Sequence, residues 1–480
     1  MASENKNFKK LMANTLIFAI GSFGSKILVL ILVPLYTACL TPEEYGTVDL
    51  IAQTANILIP IFTISISEAA LRFGLDSKEI KDYKQVYTVC LSVYVLGMAA
   101  MALIFPIISL FDYVDGYTVI LYIYVCTSSL RQINMFFTRG RGKVTLFAVD
   151  GIICTLVMLL LDILFLVGFD MGITGYLLAI ILSDLISSIF LFTAGRLWRF
   201  VSPKSFDKEL AKSMVKYAAP LMSTNLLWLI TSISDRFIIR IFHGEYLTGI
   251  NAIAYKIPTI LTTIFTMFSQ AWNMSAITEN NSAEREKFYT DVFRMCSAFM
   301  YVLACGILLL IKPITQVWIN EQYFESYLYS PLLTLATVFT CFNTFLGSVY
   351  IAEKKTKHSF YTSLVAGIIN IILNFALIPS FGIYGAAFAT FVAYFVVFFY
   401  RLYDTRRLIH YDFSMSKIII NTVIMAAMVI VNQITFPYWW MLYLILGVLF
   451  VISFALNIKD LWQALMMLMP EKLKAKFVKN

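Results

Sequence analysis

The chain has 480 residues, of which 60% are hydrophobic and only 14% charged, with a formal net charge of +8. Soluble domains carry about 25% charged residues, so this composition cannot furnish a water-solvated surface but can furnish a lipid-facing one. The positive charge is spread over short connections rather than gathered on one domain, which argues against nucleic acid as a partner.

Fourteen apolar segments of spanning length are predicted in chain order. The first six are Leu11–Tyr36, Thr47–Ala70, Gln85–Leu110, Tyr117–Phe137, Leu146–Gly168 and Ile173–Gly195. The next four are Met214–Phe242, Ile250–Ile277, Phe288–Ile311 and Leu328–Ile351. The last four are Phe360–Ile378, Gly382–Tyr403, Ile418–Phe436 and Tyr438–Leu456. At about 1.5 Å per residue each can cross a hydrocarbon core of about 30 Å. Lys6, Lys9 and Lys10 before the first segment imitate a signal peptide. The run that follows is too long for one and lacks a small-residue cleavage site, so an uncleaved helix is expected.

Of the 37 Lys and Arg residues, 32 fall in every second gap or in the tails. Arg240 and Lys312 lie on the opposite side, and Lys26, Arg236 and Lys256 lie within helices. The alternation never inverts, which predicts a polytopic inner-membrane protein with both termini in the cytoplasm. Trp198, Trp318, Trp439, Trp440 and Trp462 fall near helix ends, as an interfacial belt requires. No gap is long enough for a catalytic domain, so transport is expected rather than an enzyme activity. The seven cysteines form no C-x-x-C pair and the three histidines are far apart, so neither a metal nor a cofactor is expected.

An internal repeat is visible. Gly172-Ile173-Thr174-Gly175 opens the sixth helix and Gly382-Ile383-Tyr384-Gly385 the twelfth, while Gly46 precedes the second and Gly249 the eighth. Six helices separate each pair, which keeps the orientation and implies two parallel six-helix repeats with a substrate cavity between them. The expected organisation is a lobe at residues 1–200, a second at 201–412, and helices thirteen and fourteen with a basic tail at 413–480.

Ionisable residues inside a bilayer are costly unless they face a cavity or a partner. Here they are Lys26, Glu68, Asp162, Asp184, Asp235, Arg236 and Lys256. Lys26, Arg236 and Lys256 are the candidate phosphate contacts, since both side-chain types give charge-assisted hydrogen bonds to phosphate oxygens. Arg236 has two readings, a local pair with Asp235 or a position in the cavity. Asp162, Asp184, Asp235 and Glu68 are candidates for cavity lining or for coupling to H+ or Na+, and Asp162 and Asp184 are also potential partners of Lys26. Asn370 and Asn374, four apart in the eleventh helix, are expected to serve as interhelical hydrogen-bonding groups before any contact with substrate.

Asp235-Arg236-Phe237-Ile238-Ile239, Gly244, Gly249 and Tyr255-Lys256 resemble the seventh and eighth helices of bacterial polysaccharide flippases. Those are the O-antigen and capsule repeat-unit translocases of the multidrug/oligosaccharidyl-lipid/polysaccharide exporter superfamily. Lys354-Lys355-Thr356-Lys357, Asn370, Asn374, Ile378-Pro379, Gly382 and Gly385-Ala386-Ala387 with Ala389-Thr390 resemble that family's tenth-to-twelfth-helix signature, and Glu44-Tyr45-Gly46 its first outer loop. The resemblance implies a V-shaped, two-lobed bundle working by alternating access on an undecaprenyl-pyrophosphate-linked oligosaccharide. It also implies membrane lipids and a polysaccharide polymerase or assembly complex as partners. A cation-coupled multidrug or metabolite antiporter of the same superfamily is the main alternative, although the first helix carries Lys26 where those relatives often carry an acid. A peptidoglycan-precursor flippase, a membrane polysaccharide polymerase and a scaffold are the further alternatives.

Overall fold

The computed structural model describes residues 30–109, 116–279, 285–353, 355–410 and 412–468. Helix is the only regular secondary structure among them. The chain forms two compact units. The first runs to Phe237 and includes Gly244–Gly249; the second comprises Ile238–His243 and the chain from Ile250 onward.

The first unit holds the described part of α1 (Leu30–Cys39), α2 (Pro42–Thr63), α3 (Ile66–Asp76), α4 (Ile80–Ser109), α5 (Thr118–Gly140), α6 (Val144–Asp162) and α7 (Gly172–Ala194). It also holds the first part of α8 (Lys208–Ala254). Its apolar core has two centres. Ile66, Tyr87, Ile133, Phe137 and Phe200 form one. Ile51, Met98, Leu121, Leu177 and Ile181 form the other. The second unit holds α9 (Lys256–Glu279), α10 (Arg285–Trp318), α11 (Ser326–Ala352), α12 (Thr356–Arg406), α13 (Met415–Val431) and α14 (Trp439–Leu468). There α11 packs on α9, α10 and α12, and α13 and α14 pack on α10.

Nine segments among the described residues are long and apolar enough to cross a membrane. Two of them, Ile233–Ser269 and Lys357–Arg406, each take in two of the helices expected from sequence. Large apolar side chains such as Leu103, Leu160, Ile372 and Val451 are exposed on these helices. Water would penalise that surface and lipid would not. Tyr438, Trp439 and Trp440 stand exposed at the start of α14, in the manner of interfacial anchors. The molecule is a multi-pass membrane protein.

The glycine pairs of the sequence repeat have a structural cause. Gly172 and Gly382 adopt nearly the same positive φ, 52° and 53°, each where the chain turns between two apolar helices. A side chain there would be strained. A Cβ on Gly249 would lie 1.8 Å from the Pro42 carbonyl oxygen, and one on Gly46 would lie 2.4 Å from that of Glu245. The start of α2 and the Gly244–Gly249 segment therefore approach backbone to backbone, which only glycine permits.

Candidate functional site

The second predicted helix, Thr47–Ala70, is broken. Ile64 and Ser65 both take left-handed backbone angles, so α2 ends at Thr63 and α3 begins at Ile66. The Ser65 amide bonds back to the carbonyl of Pro60, which lies inside the last turn of α2 and has no N–H of its own. Non-helical backbone at membrane depth is tolerated only inside protein or along a polar cavity. Here it borders a pocket of about 350 Å³. Ser65, Ser67 and Glu68 line the pocket from the break, and Asn56, Gln132 and Asn225 from α2, α5 and α8. Ile59, Pro60 and Leu229 form its apolar wall. Glu68, a sequence candidate, is therefore in a cavity.

Arg236 is buried on α8. Its Nε donates to Asp49 Oδ2 at 2.7 Å and its Nη1 lies 3.6 Å from Asp235 Oδ1. Asp49 also accepts from Gln53 Nε2 at 3.3 Å. The local pair of Arg236 with Asp235 is present, joined by a second carboxylate from α2. The guanidinium thus sits between two acids.

Asp184 of α7 belongs to a larger buried network. Arg131 Nη1 lies 3.3 Å from Asp184 Oδ1 and Nη2 lies 3.4 Å from Asp150 Oδ2, while Nε donates to Ser187 Oγ at 2.7 Å. Ser128 donates to Asp184, and Ser187 to Asp150. The network extends through Asn134, which donates to Ser188 Oγ at 2.8 Å and accepts from the Tyr87 hydroxyl at 2.7 Å. Helices α5, α6 and α7 are joined by it. Position along the chain groups Arg131 with the loop-side cations and does not single out Asp150; both lie inside the bundle. Their helical register holds a signal, since Arg131 with Asn134 and Asp184 with Ser187 and Ser188 each place polar groups on one face.

Asp162 closes α6 and is fully buried. Its Oδ2 accepts from the Tyr36 hydroxyl at 2.7 Å, and its Oδ1 has no hydrogen-bond partner among the described residues. Tyr36 is itself packed edge-on against Tyr176, 4.7 Å between centroids. The chain then widens into a π-helical turn, Ile163–Gly168. Such turns are rare and concentrate at functional sites.

In the second unit, Asn374 Nδ2 donates to Asn370 Oδ1 at 3.0 Å and Asn370 Nδ2 to Thr390 Oγ1 at 3.3 Å. The bond from Asn370 to Thr390 thus spans the Gly382 turn of α12. Lys256 is the first residue of α9 and is half-buried. Lys26 lies outside the described residues.

This all-helical fold is shared with solved transporters of the MOP superfamily. The chain matches the lipid II flippase MurJ in an inward closed conformation with a TM-score of 0.69 at 14% identity, over 94% of this chain and all of that one. It matches an inward-facing multidrug resistance MATE family transporter with a TM-score of 0.67 at 14% identity, over 80% of this chain and 95% of that one. At this identity the likeness is one of fold. Two curated relatives from Methanocaldococcus jannaschii are similar in sequence. The uncharacterized membrane protein MJ1068 is 24% identical over 44% of this chain, and the alignment spans only 43% of MJ1068. The uncharacterized membrane protein MJ1375 is 22% identical over 76% of this chain and 91% of its own length. Residues 11–273 match the family described as polysaccharide biosynthesis protein, and the chain belongs to that family.

Proposed function

We propose that this protein is a flippase that moves an undecaprenyl-pyrophosphate-linked oligosaccharide across the bacterial cytoplasmic membrane by alternating access. The product feeds assembly of a surface polysaccharide such as O-antigen, capsule or exopolysaccharide. One observation carries the reading: a chain of the polysaccharide biosynthesis family has the fold of a flippase for a lipid-linked precursor. Both termini lie in the cytoplasm, the lobes at 1–200 and 201–412 alternate, and residues 413–480 are an appendage. A polymerase or assembly complex receives the product.

Lys26, Arg236 and Lys256 contact the pyrophosphate. For Arg236 the geometry sets a condition. Its Nε is engaged by Asp49 at 2.7 Å, so a phosphate oxygen that bonds this nitrogen takes the place of the Asp49 carboxylate. That exchange ties substrate arrival to release of α2 from α8. Asp162 supports a second element of the mechanism, coupling to H+ or Na+. A buried carboxylate with one unbonded oxygen costs several kcal/mol in a bilayer unless it holds a proton or a cation. The same observation favours the alternative reading, a cation-coupled antiporter with the MATE fold.

Mass spectrometry of lipid extracts from cells with and without the gene separates the two. Accumulation of an undecaprenyl-pyrophosphate oligosaccharide in its absence is expected. No accumulation, together with new sensitivity to toxic cations, would transfer the assignment to the antiporter.

A further inference from the structure

We infer that the pocket at the α2–α3 break is a saccharide subsite, which takes an uncharged, hydroxyl-rich sugar ring of the transported head group. The inference rests on the flippase reading and deepens it. Three observations carry it. The first is chemical character. Two serines and three amide side chains, those of Asn56, Gln132 and Asn225, line the cavity, and Glu68 is the one charged residue among them. No cation lines it among the described residues, so a phosphate would find no opposite charge in the lining and would face the Glu68 carboxylate. A sugar hydroxyl both donates and accepts, as an amide does, and a carboxylate accepts from vicinal hydroxyls.

The second observation is that these groups are uncommitted. Among the described residues the side chains of Ser67, Gln132 and Asn225 make no hydrogen bond or ion pair, Asn56 makes a single long one, 3.4 Å, to Gln53, and Glu68 makes no hydrogen bond but feels the charge of Arg139. Elsewhere in this unit the interior polar groups are mostly partnered, as in the Arg131 network. Asn56 and Asn225 are open and Glu68 and Gln132 half-buried, so their donors and acceptors are accessible to a ligand that enters the cavity. The third is shape. A volume of about 350 Å³ falls at the small end of the about 300–1,000 Å³ typical of ligand pockets. Ile59, Pro60 and Leu229 offer an apolar wall to the C–H face of a ring. The left-handed residues Ile64 and Ser65 hold the break open, so Ser65, Ser67 and Glu68 point the same polar edge at the cavity.

The test compares two probes on purified protein in nanodiscs. One is undecaprenyl pyrophosphate without sugar. The other is the lipid-linked oligosaccharide extracted from cells lacking the gene. A variant combining Gln132→Ala and Asn225→Ala should bind the oligosaccharide about tenfold or more weakly, the equivalent of about 1.4 kcal/mol. Its binding of undecaprenyl pyrophosphate should equal that of the parent, which also shows that it folds. Unchanged affinity for both probes would overturn the subsite and leave the flippase reading intact. A parent protein that binds neither probe would overturn both. If Glu68→Gln removes a Na+ or proton dependence of binding while oligosaccharide affinity is kept, the pocket is a cation site and the inference fails.

Discussion

In the first unit, Arg131 reaches Asp150 and Asp184 from one helix to two others, and Arg236 bridges Asp49 and Asp235. In the second unit the centre is filled by ring against ring. Phe339, Phe342, Phe345, Phe293 and Phe398 pack with centroids about 5 to 6 Å apart, and Trp272 stacks on Phe345 at 4.6 Å. Its buried Arg401 is held by neutral oxygens among the described residues, the Asn343 carbonyl at 2.7 Å and Thr362 Oγ1 at 2.9 Å. The difference teaches where chemistry resides. Aromatic packing has no protonation state and no exchangeable partner, whereas a carboxylate–guanidinium pair can be broken by a competing anion or a proton. The interior of the first unit therefore carries charge pairs that such a competitor could break, whereas the centre of the second is held by rings that it could not.

The sharpest way to break this contrast is Arg131→Met. It leaves two buried carboxylates without their cation, and losing one partner of a buried ionic network costs about 3–5 kcal/mol. Thermal unfolding in detergent should show a larger drop for this change than for a substitution at Asp49, Asn370 or Asp412. Adding Asp150→Asn and Asp184→Asn should restore most of it, since the uncompensated charge is then gone. A triple variant as unstable as the single one would mean that Arg131 acts by packing, and the two units would then differ in composition only.

Asp49→Asn probes the same unit with a smaller, functional effect. It removes one of the two acids that hold Arg236 and keeps the side-chain shape. Affinity for undecaprenyl pyrophosphate should rise by about tenfold, or about 1.4 kcal/mol, while transport slows because the exchange of partners is lost. Unaltered affinity in a titration would remove Arg236 from the phosphate site.

The helices were legible from apolar runs because each needs a length and little else. The Gly172 and Gly382 motifs were legible because a turn with positive φ demands glycine and leaves a fixed mark in sequence. The break at Ile64–Ser65 was not: neither residue is a usual left-handed residue, and the surrounding run remains apolar enough to read as one span. Pro60 and the polar run Ser65, Ser67, Glu68 were the available signal. Arg131 and Asp150 were hidden for another reason. Their pairing is between helices, and spacing within one helix carries no record of which neighbour a charge meets. Arg236 stood out because Asp235 is adjacent in sequence, yet its nearer partner, Asp49, is 187 residues away.

In the second unit Asn370→Leu should cost less than either change above. The change removes the hydrogen bond to Thr390 that joins the two arms of α12 across Gly382 and the one that Asn370 accepts from Asn374, and hydrogen bonds between membrane helices are worth about 0.6 kcal/mol each on average, with a maximum of about 1.7. A shift in thermal midpoint of only a few degrees is expected, with transport kept. Loss of transport with the midpoint unchanged would place Asn370 in contact with substrate and give the interior of α12 a chemical role that the contrast denies it.

The smallest effect concerns Asp412, in the connection between α12 and α13. The Ser414 amide, donating at 3.0 Å, holds its carboxyl below the ordinary carboxylate value, and Arg294 adds to this. Because the folded value is depressed, the stabilisation is fully present above the unfolded value of about 3.9 and disappears as pH falls through the lower folded value. The side chain is exposed, so solvent screens most of the interaction. Thermal midpoints of the parent and of Asp412→Asn, compared between neutral pH and about pH 3, should converge at the acid end and differ slightly at neutrality. A gap that widens on acidification would reverse the sign and show that Asp412 is stabilised in its protonated form. Charge would then matter at this connection in the second unit in a way that its aromatic interior does not share.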